Sequence, residues 1–270
     1  MRVLYFADMV GRPGRAIFKH HIEKIKKDFS IDFVVVNVEN ASHGFGITKK
    51  NAKELFNSNI DVMTGGNHSF DKKEIVEMME DFPILRPLNY PKVAPGSGVG
   101  RYKVGDEEIA VVNLMGYYGM PMVDNPFIII EEEVKKLQDD GVKNIFIDMH
   151  AEATSEKRAL MAMLKGKVSA IVGSHTHVGT DDLVVDEGTF YVSDVGLTGC
   201  RDNVIGMDIK EPLDRFLTGV SSKFDVPNRC KKILQAVVVD IEEGMVKEAF
   251  KIKAYDESEV FVSQEAFFEK

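Results

Sequence analysis

One pattern constrains this chain more than any other: a short apolar run that ends in a metal-binding side chain occurs five times. The five endings are Phe6-Ala7-Asp8, Asn37-Val38-Glu39-Asn40, Gly65-Gly66-Asn67-His68, Ile147-Asp148-Met149-His150 and Gly173-Ser174-His175-Thr176-His177. In open α/β sheets, sites form at the carboxyl ends of strands. A single ending is weak evidence, because Asp and Asn are ordinary turn residues and a His-x-His pair also occurs on plain surface loops. Five endings in one chain predict a shared metal site.

The order of the predicted elements indicates the fold class. Short apolar runs predict strands, which alternate with amphipathic helices in both halves of the chain, and antiparallel hairpins come late in each half. The predicted strands are 3–7, 33–38, 60–63, 99–104, 108–114, 144–149, 168–172, 183–185, 189–192, 235–241 and 246–254. This pattern predicts an α/β protein with a two-sheet core and helices outside, in one domain over residues 1–270. From about residue 260 onward we expect partial order at best.

Polar residues at helix starts give two of the helix boundaries. Thr48 is predicted to cap a helix that runs to about Asn57, and Asp71 to cap the next one, through about Glu80. Later helices are predicted over residues 126–140, 154–164 and 211–217. Residues 221–229 are polar and predict an excursion from the fold.

Composition narrows the functional classes. The chain has 34 Lys and Arg against 43 Asp and Glu, a net charge of −9, which argues against an extended nucleic-acid surface but allows a small phosphate held by metal ions. Its two cysteines, Cys200 and Cys230, have no Cys-x-x-Cys spacing, so a disulfide framework is not expected and a reducing compartment fits better. No apolar run approaches the length of a membrane span. The sequence therefore predicts a cytoplasmic protein.

The candidate ligands combine two carboxylates, two amide oxygens and three imidazoles, without a thiolate. They are Asp8, Glu39, Asn40, Asn67, His150, His175 and His177. Such a set favours Mn, Fe, Mg or Zn over Cu(I). Seven ligands exceed the need of one tetrahedral ion and suit two ions with a bridging carboxylate. Two ions about 3.5–4 Å apart can hold both the attacking and the phosphoryl oxygens of an in-line displacement, and they supply hydroxide near neutral pH.

The order Asp, Glu-Asn, Gly-Asn-His, His, Gly-x-His-x-His resembles the calcineurin-like metallophosphoesterase superfamily over nearly the whole chain. Residues 3–14 and 37–46 resemble one bacterial branch in particular, the YmdB-like phosphodiesterases. The resemblance implies a four-layer αββα sandwich of two mixed sheets flanked by helices. It also implies a dinuclear centre, often with iron or manganese.

The resemblance assigns roles residue by residue. One ion would be held by Asp8, Glu39, Asn40 and His177, and the other by Glu39, Asn67, His150 and His175, with Glu39 bridging. His68 would donate a proton to the leaving oxygen; its alternative role is that of a hydrogen-bonding residue behind the ligands. The chain departs from the wider superfamily at Val10, where most members have His, and at Glu39, where most have Asp.

The resemblance implies hydrolysis of phosphodiesters, with 2′,3′- and 3′,5′-cyclic nucleotides as the substrate class. A phosphomonoesterase or nucleotidase on the same centre is one alternative, and a non-catalytic regulator that binds a nucleotide or an RNA end is another. Loop residues Tyr117 to Met122 are read as core filler or as a substrate wall. The same loop is compatible with a subunit interface, so a homo-oligomer stays open, whereas no membrane partner is expected.

Overall fold

Strands and helices alternate in the order that the apolar periodicity predicts. The structure, a computed structural model, describes residues 1–269. The strands are β1 (Arg2–Phe6), β2 (Phe33–Asn37), β3 (Val62–Thr64), β4 (Val99–Val104), β5 (Glu107–Met115), β6 (Asn144–His150), β7 (Ala170–Ser174), β8 (Val184–Asp186), β9 (Thr189–Val192), β10 (Gly199–Cys200), β11 (Lys232–Glu242), β12 (Met245–Tyr255), β13 (Phe261–Glu265) and β14 (Phe267–Phe268). The helices are α1 (Gly11–Asp28), α2 (Lys49–Phe56), α3 (Ile75–Asp81), α4 (Pro126–Asp139), α5 (Thr154–Leu164) and α6 (Lys210–Thr218).

The strands form two mixed sheets. The first has the order β13-β12-β11-β1-β2-β3, with β10 beside β11, and the second has the order β14-β8-β9-β7-β6-β5-β4. Strands β1, β2 and β3 are parallel, as are β5, β6, β7 and β9. The parallel strands thus form one side of the first sheet and the centre of the second. Within each parallel group, the carboxyl ends of the strands lie at the same end of the sheet.

Three apolar layers hold the two sheets and the helices together. Successive residues of a strand point to opposite faces, so Leu4 and Phe6 pack towards α1–α3 while Val3 and Tyr5 pack between the sheets. On the far side of the second sheet, α4 and α5 cover a third cluster that includes Ile147. The expected four-layer αββα sandwich is confirmed. Within residues 1–269, no helix combines the length and apolarity that crossing a bilayer requires.

Two element boundaries differ from the sequence prediction. Thr48 caps α2 as predicted, accepting a hydrogen bond from the Asn51 N–H at 3.3 Å. Helix α3, however, begins at Ile75, because residues 71–74 form a turn and the Asp71 carboxylate binds the His68 ring instead of capping a helix. The expectation of partial order after residue 260 is also wrong up to residue 269: β13 pairs with β12, and β14 pairs with β8. Lys270 lies outside the described residues.

The two cysteines form a disulfide, which contradicts the expectation from their spacing. Cys200 and Cys230 are 30 residues apart in the chain, with Cα atoms 5.6 Å apart. They meet because β10 pairs with β11, which sets Cys200 opposite Lys232. The bond closes the base of the excursion formed by residues 201–229, which we call the cap segment.

We predict that breaking this bond destabilises the fold. Reduction, or the substitution Cys230→Ser, should lower the free energy of unfolding by roughly 3 kcal/mol, because the unfolded chain regains the entropy of a long loop. Urea denaturation with and without dithiothreitol measures the change. Cys230→Ser should be insensitive to dithiothreitol; equal sensitivity in both proteins, or none in either, would contradict the prediction.

Candidate metal centre

All seven predicted ligands lie at one edge of the sandwich, beyond the carboxyl ends of five parallel strands. β1, β2 and β3 lead to Asp8, to Glu39 and Asn40, and to Asn67. His150 is the last residue of β6, and His175 and His177 follow β7. Five of the seven side chains are buried, and Asn67 and His175 are half-buried. Both sheets thus contribute to one site.

Four of these residues form a tight group around the His150 ring. His150 Nε2 lies 3.0 Å from Asn67 Oδ1, 3.1 Å from Glu39 Oε1 and 3.1 Å from His175 Nδ1. The donor atoms of Glu39, His150 and His175 all lie within 4.8 Å of one another. Four lone-pair donors that face a common point are the arrangement of a metal site.

Asp8, Asn40 and His177 form a second group beside the first. His177 Nε2 lies 3.6 Å from Asp8 Oδ1, and Asp8 Oδ2 accepts a hydrogen bond from the His175 N–H at 2.9 Å. Asp8 Oδ1 and Asn40 Oδ1 are buried and have no hydrogen-bond partner within residues 1–269. Buried oxygens without partners are costly, and a bound cation is one group that satisfies such oxygens.

Each of the three histidines has its second ring nitrogen fixed by an acceptor. His150 Nδ1 lies 3.0 Å from Ser174 Oγ, His175 Nε2 lies 3.0 Å from Glu152 Oε2, and His177 Nδ1 lies 2.7 Å from the Ile205 carbonyl oxygen. An N–H donated to such an acceptor leaves the other nitrogen as a lone-pair donor. In all three rings that other nitrogen faces the cluster.

The pKa values show that the cluster attracts positive charge. Burial alone would lower the pKa of His177, but the Asp8 carboxylate raises it to about 9. Burial likewise opposes ionisation of Asp8, yet His177 and His150 hold the pKa of its carboxyl well below the usual range. His175 behaves differently, since burial and the neighbouring His150 lower its pKa to about 3. Its ring is therefore neutral and can bind a cation at ordinary pH.

Backbone geometry at the ligands is unusual. Asp8, His175 and His177 have φ values of 35°, 100° and 62°, in the left-handed region that side chains other than glycine rarely adopt. A Cβ atom on Gly66 would lie 2.3 Å from Glu39 Oε2 and 2.4 Å from His150 Nε2. The chain accepts strained residues and one obligatory glycine where the donor atoms converge, a pattern typical of functional sites.

His68, the predicted proton donor, lies at the edge of this cluster. Its backbone N–H donates to Glu39 Oε2 at 3.0 Å, its ring Nδ1 lies 2.8 Å from Asp71 Oδ2, and Phe45 packs edge-on against the ring at 5.0 Å. The ring lines the same open pocket as Glu39, Asn40, His175 and His177. The Asp71 contact fixes the tautomer, so Nε2 is the nitrogen available to a bound molecule.

Sequence reasoning missed a buried carboxylate beneath the ligands. Asp148 is completely buried and accepts hydrogen bonds from Asn37 Nδ2 at 3.1 Å, Thr64 Oγ1 at 2.5 Å and Ser174 Oγ at 2.7 Å. Asn37 and Thr64 belong to the first sheet, and Asp148 and Ser174 to the second. Burial raises the pKa of Asp148. A charged residue inside the apolar strand 144–149 was the available signal, since unpaired buried carboxylates are rare.

A second buried ion pair supports the loop of His175 and His177. Lys157 Nζ lies 3.0 Å from Asp194 Oδ2 and donates to the Ser174 carbonyl at 2.8 Å. Asp194 also accepts hydrogen bonds from the Thr176 N–H and hydroxyl. Nothing in the local sequence around Asp194 indicates this contact, because the residues that meet there are distant in the chain.

The centre opens into a pocket of about 730 Å³. Ligand and catalytic candidates form one wall, and the cap segment forms the opposite wall. This volume lies within the roughly 300–1,000 Å³ range of small-molecule sites. The loop from Tyr117 to Met122 does not line this pocket, so it is not a wall of this site. Tyr117, Tyr118 and Met122 are exposed, so they do not fill the core either.

A comparison with protein families gives a match over most of the chain. The model of YmdB-like proteins matches residues 4–254 of the chain. The chain belongs to the YmdB-like family. The resemblance drawn from the sequence motifs is confirmed.

Individual proteins match over almost their whole length. A 2′,3′-cyclic-nucleotide 2′-phosphodiesterase of Bacillus subtilis is 42% identical over 255 residues, which cover 94% of this chain and 96% of the relative. The crystal structure of a hypothetical protein from Thermus thermophilus has 34% identity and a TM-score of 0.87, and covers 98% of this chain and 100% of that one. A novel phosphatase from Mycoplasma pneumoniae has 30% identity and a TM-score of 0.88, with 94% and 93% covered.

We predict that Asp148 is the main polar support of this YmdB-like site. The substitution Asp148→Asn should lower the free energy of unfolding by roughly 2 kcal/mol, because an amide cannot accept from all three buried donors. Denaturation in the presence of a chelator measures this change without a contribution from metal. Asp28→Asn, at an exposed carboxylate paired with Lys24, is the matched control and should have no measurable effect. Equal stability of the two variants would contradict this account.

Proposed function

We propose that this protein is a metal-dependent phosphodiesterase with a dinuclear centre, and that it hydrolyses cyclic nucleotides. One observation carries the proposal: seven lone-pair donors from five strand ends meet at one edge, with donor atoms 3.0–3.1 Å apart around His150. The Bacillus subtilis relative, named for 2′,3′-cyclic nucleotides, supports that form as the first substrate to test. The 3′,5′-cyclic form belongs to the same proposal.

The residues present fit two ions. Asn67, His150 and His175 would hold one and Asp8, Asn40 and His177 the other, with Glu39 shared between them. The partnerless oxygens of Asp8 and Asn40 support the second position. The mixed nitrogen and oxygen donors favour iron or manganese, with magnesium or zinc as alternatives. When bound, such ions would polarise the phosphoryl oxygens and make a water molecule acidic enough to attack near neutral pH.

The chain's own contribution to the reaction is to orient the diester and to supply a proton. His68 is positioned for proton donation because Asp71 holds its Nδ1 and Phe45 fixes the plane of its ring. Nε2 would then donate to the departing ribose oxygen, which otherwise leaves as a strongly basic alkoxide. Glu39 accepts the His68 N–H and so couples the proton donor to the metal site.

We predict different effects for the loss of the shared metal ligand Glu39 and for the loss of the proton donor His68. Glu39→Gln should abolish turnover of 2′,3′-cyclic AMP and also lower the metal content, because the shared carboxylate is lost. Elemental analysis of the purified protein and a hydrolysis assay with added manganese or iron measure both effects. Glu248→Gln, which alters an exposed glutamate on β12, is the control. A fully active Glu39→Gln enzyme would refute the dinuclear assignment.

His68→Ala should keep the metal content and lose activity by roughly 10²–10⁴-fold on cyclic nucleotides, since proton donation is absent. The loss of activity on bis-p-nitrophenyl phosphate should be much smaller, because p-nitrophenolate is a good leaving group that does not need a proton. Comparing the two substrates therefore tests proton donation directly. If both activities fell by the same factor, His68 would have a positioning role instead.

A phosphomonoesterase on the same centre is the second candidate, favoured by the Mycoplasma pneumoniae relative that is named a phosphatase. Both reactions use the same donor set, so the ligands do not separate them. Turnover of bis-p-nitrophenyl phosphate against p-nitrophenyl phosphate decides between them. A preference for the monoester would replace the diesterase proposal.

A further inference from the structure

The cap segment forms the wall of the pocket that faces the metal centre. It contains α6 and the polar stretch up to Arg229. Its residues Arg215, Phe216, Lys223 and Phe224 line the same cavity as Glu39, Asn40, His68, His175 and His177. A phosphodiester held at the ligands would therefore project its remaining part towards this wall.

The wall is fixed to the body of the protein at several points. The disulfide closes its base, the Arg201 N–H donates to the Lys231 carbonyl at 2.8 Å, and the Ile205 carbonyl accepts from the ligand His177. Within the segment, the Asp208 N–H donates to the Asp225 carbonyl at 2.8 Å. A Cβ on Gly11 would lie 2.8 Å from a methyl group of Val226, so the Val226 side chain packs closely against the backbone at the start of α1. The positions of the wall residues are thus set before a substrate binds.

Two residues of the wall bring a cation and an aromatic ring together. The Arg215 guanidinium carbon lies 5.7 Å from the centre of the half-buried Phe224 ring. Lys223, the other cation of the wall, is paired with Asp225 at 3.3 Å. Within residues 1–269 the arginine ion pairs involve Arg2 and Arg101, so the exposed Arg215 can face a ligand. Guanidinium and phenyl planes are the two surfaces on which nucleobases stack.

The rest of this wall is poor in groups that could read a base edge. Ile205, Met207, Pro212 and Phe216 are apolar, and Ser222 is the neutral polar side chain among the cap residues that line the pocket. Hydrogen-bond readout of a base needs donors and acceptors placed along its edge. Recognition by the face of the base, which all nucleobases share, fits this composition.

We propose that Arg215 and Phe224 bind the nucleobase of the substrate by stacking, so that they determine specificity for nucleoside phosphodiesters over other cyclic phosphodiesters. This inference rests on the proposed function and names the group that its substrates carry beyond the phosphate. It also implies tolerance between bases: 2′,3′-cyclic AMP and 2′,3′-cyclic CMP should have kcat/KM values within about 10-fold of each other.

The test compares two cyclic diesters in the metal-loaded enzyme: 2′,3′-cyclic AMP, and glycerol 1,2-cyclic phosphate, which has no base. The ratio of their kcat/KM values should fall by roughly 10-fold in Phe224→Ala, the amount expected for the loss of one stacking contact. It should also fall in Arg215→Ala. Phe224→Tyr keeps the ring and should restore the ratio, which excludes misfolding as the cause. Leu217→Ala is the matched control, since Leu217 is exposed on α6 and outside the pocket lining.

The outcomes separate this inference from the proposed function. If the wild-type enzyme hydrolyses both diesters and Phe224→Ala leaves the ratio of their kcat/KM values unchanged, the base-stacking proposal is wrong. The proposed phosphodiesterase function is then still supported. A strong preference for one base would also overturn it, because it would require edge recognition. If the wild-type enzyme hydrolyses neither diester, the proposed function is wrong, and the base-stacking proposal, which rests on it, is wrong as well.

Discussion

The carboxylate of Asp148 is the interaction on which the site depends. It joins the two sheets at the edge where their parallel strands end, accepting hydrogen bonds from Asn37 and Thr64 of the first sheet and Ser174 of the second. Apolar packing between sheets is non-directional and fixes their separation better than their relative position. Hydrogen bonds are directional. Through Ser174, the same carboxylate also orients the His150 ring.

Charge is arranged around the cluster in a consistent way. The chain is acidic overall, yet the buried acids at the centre face imidazoles, and in the absence of other cations the carboxylate of Asp8 raises the pKa of His177 to about 9. A bound cation would take the place of that proton. Lys157, buried against Asp194, lies behind the histidine loop, where its charge is balanced by its own partner. Arg215, on the cap segment, lines the same pocket as the ligands.

The sequence predicts the parts of this site that follow from strand periodicity. Asp8, Glu39, Asn67, His150 and His175 were identified because each follows a strand, and parallel strands bring their carboxyl ends together. Asp194 is not predicted, because its partners Lys157 and Thr176 meet it only through tertiary folding. Asp71 is predicted only as a helix cap, although its partner His68 is three residues away in the chain. Strands β13 and β14 carry mostly exposed residues, so they have no apolar alternation, and the edges of β12 and β8 provide their pairing. The disulfide likewise depends on the pairing of β10 with β11, which the spacing of the cysteines does not reveal.

The first sheet has a consequence for how the protein must fold. Its strand β1 has β2 on one side and β11 on the other, and the register sets Arg2 opposite Asp240. Pairing β1 with β11 closes a loop that contains most of the chain. Closing this loop costs entropy before the pairing contributes any stabilising free energy, and such non-local topologies fold slowly. Asp8 follows β1 directly, and Asp8 accepts the N–H of His175 from the other sheet. The centre therefore requires pairing between distant parts of the chain, and isolated helices and hairpins would lack it.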